Sequence, residues 1–497
     1  MSALLHRRWT FLGQIGLTLI LLTACSDAST PDLSPAAPAA TRLRYVTLPA
    51  DATATPTPFR PLAGTDTPPP SLTPAVTAPL PVEVTPSPSS TPDFNLLLPA
   101  AWTPPAFYVP AGVPTPMPLL TDNEMVTFLL LGSDMRLGTP FRTDTMIFVA
   151  IRPKSGQVTL VSIPRDLWVY IPGWEMQRIN TAYVHGLASA PDGGETLLKN
   201  TVLYNLGLRV DHIAIVDFDG FRRIVDTLGG IDVPVACPYT DWRLKSPELD
   251  PQVEENWELY TVQPGLVHMD GDLALWYARA RKKSSDYDRS RRQQEVLRAI
   301  YAKGLQLGVV TKIPQLYGAL RNSLRTDVDL NTLLALAPLA WHVTNADIRS
   351  YYIVPPLVNG WITPGGAWVA LPDGAAIRAM LERALSPQRQ GREEDSVLIE
   401  VWNGTTYEGW DRLAAERLNY AGYETRLERA DRRDYAQTWL YDVTTDQDTA
   451  RAARILNVLG LSSAARIAAP GYRQGVSYVL IVGADYQPCF QPQTLQP

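Results

Sequence analysis

Cysteine and histidine are scarce in this chain, and neither is arranged for chemistry. Of 497 residues, three are cysteine and five histidine. His6, His185, His212, His268 and His342 show no ligand spacing, and no CxxC, HExxH or GxSxG string occurs. Zinc hydrolysis and serine-hydrolase chemistry are therefore disfavoured. Long apolar runs are missing too: after the first 25 residues nothing approaches the ~18 apolar residues that a membrane span requires. The net charge is −6, with no basic stripe of the kind that tracks nucleic acid, so a nucleic-acid partner is not expected. No internal repeat is found.

What is present begins with His6-Arg7-Arg8, a positive n-region, followed by an uncharged apolar stretch from Trp9 to Leu22 and then Leu22-Thr23-Ala24-Cys25. This looks like a bacterial lipoprotein signal with its lipobox, residues 1–25. On that reading Cys25 is lipidated and the remainder lies outside the cytoplasmic membrane, anchored to its outer face and reaching into the cell wall. An uncleaved signal anchor would tether the chain to the same face. Most of the 44 prolines crowd towards the N-terminus. Residues 26–120 are rich in Pro, Thr, Ala and Ser and too poor in apolar area to offset chain entropy, so a disordered stalk is expected. In polyproline II at ~3.1 Å per residue, a stalk of about 90 residues could extend more than about 200 Å.

Order is expected from residue 121. Continuous β-prone runs at 126–131, 145–151 and 157–163, the last two joined by Pro153-Lys154-Ser155-Gly156, read as sheet core with a hairpin. Helical patterning at 195–206 and 221–228 alternates with strands at 212–217 and 231–235. Further helices are expected at 271–280, 286–307, 313–324, 330–342 and 373–385. Strands alternating with helices indicate a layered α/β domain over 121–385. A polar linker, 386–396, leads to a second small α/β domain at 397–486, with strands at 397–402 and 476–482 and a helix at 410–421, and then a tail, 487–497. Cys237 and Cys489 could pair in an oxidising compartment, but they fall in different regions and are expected as unpaired, buried thiols.

Arginines and aspartates recur in short strings across 132–294. Gly132-Ser133-Asp134 closes a strand, Arg142-Thr143-Asp144 opens the next, and Ser162-Ile163-Pro164-Arg165-Asp166 ends a third. Guanidinium forks match phosphate oxygens, and carboxylates can hold a divalent cation that the same phosphates ligate, so the pattern points to pyrophosphate. Asp134 and Asp144 are candidate Mg²⁺ ligands, although each also suits a turn or cap. Arg142 and Asp144 share a face if that stretch is extended. Pro164 ends sheet pairing and lets Arg165 emerge, with Asp166 as a simple partner. Arg178 is a further phosphate fork or a surface arginine. Arg279 and Arg281 share a face only if the preceding helix has ended. Asp286, Arg289 and Gln293 stand at i, i+3 and i+7, one polar stripe that Val296, Leu297 and Ile300 continue as buried surface. Such a helix presents its N-terminal part to a site, where its dipole favours an anion.

These strings resemble the LytR-CpsA-Psr family. The resemblance runs from Phe128-Leu-Leu-Leu-Gly-Ser-Asp134, Arg142-Thr-Asp-Thr-Met146, Val161-Ser-Ile-Pro-Arg-Asp166, Arg178-Ile-Asn-Thr-Ala-Tyr183 and Phe218-Asp-Gly-Phe221 through Leu228-Gly-Gly-Ile-Asp-Val233 and Ala278-Arg-Ala-Arg281 to Asp286-Tyr-Asp-Arg-Ser-Arg-Arg-Gln-Gln294. It covers about 124–385, and 397–485 looks like the C-terminal domain often appended. The resemblance implies an α-β-α sandwich with a mixed central sheet that binds a polyprenyl-pyrophosphate glycan, the lipid tail in an apolar tunnel and the pyrophosphate among arginines with Mg²⁺. It also implies a phosphotransferase that moves an anionic glycopolymer, such as teichoic acid, to peptidoglycan. Carried over, Asp134 and Asp144 would serve Mg²⁺ and Arg142, Arg165, Arg279, Arg281 and Arg289 the phosphates, while Asp286 and Gln293 match site positions. Arg165, Asp286 and Arg289 are then the expected catalytic residues, with Asp286 orienting or deprotonating the acceptor hydroxyl. The helices at 313–324 and 330–341 are candidate tunnel walls. Arg178 stands where members often have Lys, the loop from Arg281 to Asp286 is short, and a lipobox replaces the family's membrane helix. A hydrolase of the carrier lipid, and a non-catalytic wall-binding or adhesion protein, are the alternative readings.

Overall fold

The computed structural model describes residues 102–133, 143–190, 193–246, 248–308, 324–343, 347–387, 397–421 and 423–489. Cys25, Asp134, Arg142, nearly all of the expected helix at 313–324, most of the linker and residues 490–497 lie outside the described residues. All those described belong to one compact unit, Pro86–Pro497.

Three apolar runs form the centre. Strands β1 (Val126–Ser133), β2 (Thr143–Arg152) and β3 (Gln157–Ser162) pair antiparallel in sequence. The turn between β2 and β3 closes where Gly156 N–H donates to Arg152 O at 2.9 Å. A short ribbon of β4 (Trp168–Tyr170) and β5 (Met176–Arg178) leads to helices α1 (Ala182–Ser189) and α2 (Gly193–Leu206), then β6 (His212–Val216), α3 (Phe218–Thr227) and β7 (Ile231–Val235). Strands β8 (Tyr239–Leu244), β9 (Trp257–Val262) and β10 (Gly265–Met269) precede α4 (Gly271–Arg279) and α5 (Asp286–Gln306). The domain closes with β11 (Leu324–Thr326), α6 (Leu330–Ala340), β12 (Ile348–Tyr352), β13 (Val358–Ile362), β14 (Trp368–Pro372) and α7 (Gly374–Leu385).

The central sheet has six strands in the order β11-β6-β1-β2-β3-β12. It is mixed: β6 runs parallel to β1 and β12 parallel to β3. Successive side chains of a strand face opposite ways, and both faces of this sheet are covered. Leu129, Leu131, Met146, Phe148 and Val161 pack against Tyr183, Leu198, Val202, Ile377 and Leu381 of α1, α2 and α7. On the other face Phe128, Ile147, Val149 and Leu160 meet Leu297 and Tyr301 of α5 and Leu333, Leu336 and Leu339 of α6. The result is the α-β-α sandwich, and its two-sided burial explains why β1 reads as a continuous apolar run. Truncating a fully buried side chain such as Leu129 would cost about 2–5 kcal/mol. Strand β7, which the sequence places among the layers, pairs with β10 instead, over a separate core shared with α3, α4 and α5.

Two expectations are corrected. Residues 102–120, assigned to the stalk, lie along α2. Met117 N–H donates to Tyr204 O and Leu120 N–H to Gly207 O, each at 2.8 Å, and Tyr204 hydroxyl donates to Pro114 O at 2.7 Å. The approach depends on Gly207, at φ +66°, where a Cβ would stand 2.1 Å from Pro118 O. A proline-rich segment can dock by its few N–H groups and its carbonyls, which composition does not show. The second correction is that Cys237 and Cys489 form a disulfide across a separation of 252 residues.

The second region has its own sheet and core. Strand β15 (Leu398–Asn403), α8 (Trp410–Tyr420), β16 (Glu424–Glu428), β17 (Trp439–Asp442), α9 (Thr449–Leu459), β18 (Arg466–Ala468) and β19 (Tyr478–Val482) build a five-stranded sheet ordered β16-β15-β19-β17-β18. Only the β17–β19 pair is antiparallel. Ile399, Val401, Leu480 and Val482 pack under Ala414, Leu418, Ile455 and Leu459 of the two helices. Helix α8 also lies against β7, β10 and β12 of the first region. The disulfide therefore fastens a surface that is already packed.

Candidate functional site

The cavity of interest, about 260 Å³, opens where β1 ends and β2 begins. Four segments supply its walls: Asp144, Thr145 and Met146 from β2, Ile163 to Asp166 after β3, Asp286 to Gln293 from α5, and Trp368 and Ala370 from β14. Each segment is held for a local reason. The chain after β3 leaves the ladder at Pro164. It is pinned by Ile163 N–H to Met146 O at 2.9 Å and by Ala370 N–H to Asp166 O at 2.9 Å. Helix α5 starts at Ser285, whose side chain caps Asp288 N–H at 3.1 Å. Gly132 lies so close to Thr145 that a Cβ there would stand 3.0 Å from the threonine Cβ. Thr145 hydroxyl in turn accepts from Gln293 Nε2 at 2.8 Å, tying α5 to the sheet edge.

Asp286 is the hub of an ionic cluster. Its carboxylate stands 3.4 Å from Arg289 Nη1, 3.5 Å from Arg281 Nη1 and 3.9 Å from Arg165 Nη2. Arg165 donates to Asp144 at 2.7 Å and to Asp166 at 3.3 Å. Arg178 Nε lies 3.3 Å from Asp166, and its Nη2 donates to Trp368 O at 2.6 Å. Burial works to lower the Arg165 pKa, but the hydrogen bond to Asp144 and the charges of Asp144, Asp166 and Asp286 outweigh it and raise it. Arg289 is held below its ordinary value. Burial is the main cause, Arg165 and Arg281 add to it, and Asp286 and Asp144 oppose it. Both guanidiniums stay charged in a protein at neutral pH. Arg289 Nε–H is buried without a hydrogen-bond partner, a state that costs about 1–3 kcal/mol. Burial, then Asp286 and Asp166, raise the pKa of the Tyr287 phenol. The arrangement can receive an anion: four guanidiniums (Arg165, Arg178, Arg281 and Arg289) face three carboxylates (Asp144, Asp166 and Asp286) in these contacts.

The expected stripe of Asp286, Arg289 and Gln293 lines the cavity as one face of α5, and Arg165 and Asp144 join it. Arg178 and Arg281 reach it through ion pairs with Asp166 and Asp286. Helix α4 ends at Arg279, as the spacing of the two arginines requires, but the Arg279 guanidinium stacks 3.6 Å from the centre of the Phe218 ring. Three contributors were not anticipated. Tyr287 and Trp368 line the cavity. Arg292, fully buried, donates to Tyr277 O, to Ala280 O at 2.5 Å, to Ser284 hydroxyl at 3.1 Å and to Asp288 at 3.1 Å. It thereby fixes the path from Arg279 to Asp286. Its spacing of four from Asp288 was the available signal; the carbonyl partners left none.

A family model described as the LytR_cpsA_psr family matches residues 111–383. Among related proteins, the polyisoprenyl-teichoic acid–peptidoglycan teichoic acid transferase TagU of Oceanobacillus iheyensis is 32% identical over 220 residues, 44% of this chain and 63% of that one. The Bacillus subtilis protein of the same name is 30% identical over 217 residues, 43% and 63% of the two chains. A probable cell wall biosynthesis protein, LcpB of Corynebacterium glutamicum, is 32% identical over 228 residues, 43% and 50%. The chain thus spans less than two thirds of the length of these curated relatives. Among solved structures, Bacillus subtilis TagV matches with 25% identity and a TM-score of 0.43 over 54% of this chain and all of that one. TagT bound to LIIa-WTA matches with 24% identity and a TM-score of 0.41 over 55% and 98%.

Proposed function

The chain belongs to the LytR_cpsA_psr family, and we propose that it transfers an anionic glycopolymer from a polyprenyl-pyrophosphate carrier to peptidoglycan. The names of its TagU relatives support the substrate class. The observation that carries the reading is the Asp286 hub, where guanidiniums from three separate segments converge on one partly exposed carboxylate beside a cavity. The orphaned Nε–H of Arg289 is a donor that a phosphate oxygen would satisfy.

In this reaction an acceptor sugar hydroxyl attacks the sugar-proximal phosphorus. A new O–P bond forms, the P–O bond to the distal phosphate breaks with its electron pair, and polyprenyl monophosphate leaves. Asp286 orients the hydroxyl and takes its proton. Arg165, Arg281 and Arg289 neutralise charge on the non-bridging and leaving oxygens, the term that dominates phosphoryl transfer. Mg²⁺ fits the donor set. Asp144 is a partly exposed carboxylate at the cavity whose Oδ1 already pairs with Arg165; Mg²⁺ typically takes one or two such carboxylates together with phosphate oxygens. Asp144 and Asp134 would hold it, and bound there it would add Lewis-acid neutralisation of the phosphates. Among the described residues no group of three or more potential metal ligands occurs, so the phosphates would complete the shell.

Cys25 lipidation, and a site on the outer face of the membrane, belong to the same proposal. The Cys237–Cys489 disulfide supports an oxidising compartment. No helix among the described residues is long and apolar enough to cross a membrane.

The test is turnover of a polyprenyl-pyrophosphate glycan by the full chain, with and without peptidoglycan oligomers and Mg²⁺. Acceptor-linked product that disappears in Arg165→Ala and Asp286→Asn is the expected result. Phosphate release without acceptor-linked product would instead establish a carrier-lipid hydrolase.

A further inference from the structure

From Ser350 to Pro372 the chain carries no charged residue, and much of that stretch is on the surface. Strands β13 and β14 form a two-stranded ribbon in which Trp361 opposes Val369 and Ile362 opposes Trp368. The turn between them is closed by Thr363 N–H to Ala367 O at 2.9 Å and Gly366 N–H to Thr363 O at 2.8 Å. Its apolar side chains are not covered: Ile362 is 65% exposed, Trp368 46%, Leu371 42% and Trp361 39%. The ribbon is fixed to the body by the bridge between Leu167 and Ala370 and by Trp361, whose ring lies edge-on to Trp168 at 6.0 Å.

This surface is continuous with the cavity. Trp368 and Ala370 line it, and the Trp368 indole crosses Gly360, where a Cβ would lie 3.0 Å from the indole nitrogen. Directly opposed residues of a ribbon share a face, so Ile362 extends the Trp368 side outward past the cavity mouth. Just behind stands Arg178, donating to the Trp368 carbonyl. An uncharged ribbon with indole and branched aliphatic side chains exposed on both faces, and a guanidinium held against it at Trp368, has the makeup of an interfacial element, with apolar side chains for the acyl boundary and a cation for the phosphates. Indoles favour that boundary because one edge is apolar and the N–H is polar. A sugar-stacking platform presents its rings on one face, whereas here Ile362 and Trp368 are exposed on one face of the ribbon and Trp361 and Leu371 on the other.

We propose that the β13–β14 ribbon is a membrane-docking element that seats in the interfacial layer of the bilayer holding the donor, so that the carrier's pyrophosphate enters the cavity from the membrane plane. This rests on the reading of the donor as a lipid-linked glycan. The test uses the full chain in phosphatidylcholine vesicles and the variant Ile362→Asp, with two donors: a long-chain polyprenyl-pyrophosphate glycan embedded in the vesicles, and a short-chain, water-soluble analogue. Turnover of the embedded donor is expected to fall about tenfold or more as the apolar tip is lost, with the soluble donor changed less than about twofold. Equal loss on both donors, or on neither, overturns the proposal. So does a defect that appears only as a raised KM for the peptidoglycan oligomer, which would make the ribbon a glycan platform. A photo-crosslinking residue at position 362 separates this idea from the reaction itself. Lipid adducts well above those from the same residue at exposed position 472 support docking even if neither donor turns over. Adducts no higher than that control overturn docking even where transfer is intact.

Discussion

Two ionic clusters interleave along the start of the same helix, on different faces, and are built from the same residue types. Around Asp286 and Arg289, contacts to the hub carboxylate run from 3.4 to 3.9 Å, the carboxylate is a third exposed, and guanidiniums outnumber carboxylates. On the other face, Asp288, Arg291, Arg292 and Glu295 are balanced in charge and tightly bonded. Arg291 donates to Asp288 at 2.7 Å and also to Glu295, Arg292 to Asp288 at 3.1 Å, and Tyr277 hydroxyl to Glu295 at 3.1 Å. Arg292 also stacks 4.0 Å from the Tyr239 ring centre. The first cluster keeps one unpartnered donor, Arg289 Nε–H, and lines a cavity; the second is bonded among its own members. Composition therefore does not distinguish the two clusters; the cavity that Asp286 and Arg289 line does.

The comparison can be broken at several points. Arg292→Ala should destabilise the fold by about 3–5 kcal/mol, because it leaves the Tyr277 and Ala280 carbonyls without their donor and empties the volume of a fully buried side chain, and denaturant unfolding would measure it. Arg165→Ala should instead cost transfer about 10²–10³-fold while moving unfolding much less than Arg292→Ala does; an unfolding loss as large as that of Arg292→Ala would make the Asp286 cluster structural as well. Removing the clamp by Cys489→Ser should lower stability by about 2–4 kcal/mol without abolishing turnover. Acid should also separate the clusters. Although burial opposes it, Arg291 and Arg292 hold the Asp288 pKa below its ordinary value. Asp288 thus contributes stability that is present above the unfolded value of about 4 and lost as pH falls through the lower folded value. Wild type should therefore lose more stability than Asp288→Asn between about pH 4 and 2, and parallel acid curves would overturn that assignment. As a baseline, Arg378→Ala, which removes a pair to Glu382 with both side chains about half exposed, should change stability by less than about 0.5 kcal/mol.

How much was legible follows from the range of each interaction. The runs that became β1, β2 and β3, and the stripe Asp286, Arg289 and Gln293, are periodicities written in neighbouring residues, and they appear in the structure where the spacing puts them. The Asp caps of α3, α4, α6, α7 and α9 are equally local. Arg279 was expected among the phosphate ligands because of its neighbours; that its guanidinium stacks on Phe218, sixty-one positions earlier in the chain, could not be read from them. Trp368 carried no signal at all, since its place in the cavity comes from β14 packing beside the chain after β3.

The sequence by itself determined the strands, the helices and the charge character of the Asp286, Arg289 and Gln293 stripe, because hydrophobic period and capping act over a few residues. Only the tertiary structure decided that Cys237 meets Cys489, that residues 102–120 lie along α2, that Arg292 closes a network rather than a site, and that an uncharged ribbon stands at the cavity mouth. Each of those depends on which distant surfaces pack together, and packing is settled by the burial of whole faces, not by any local string.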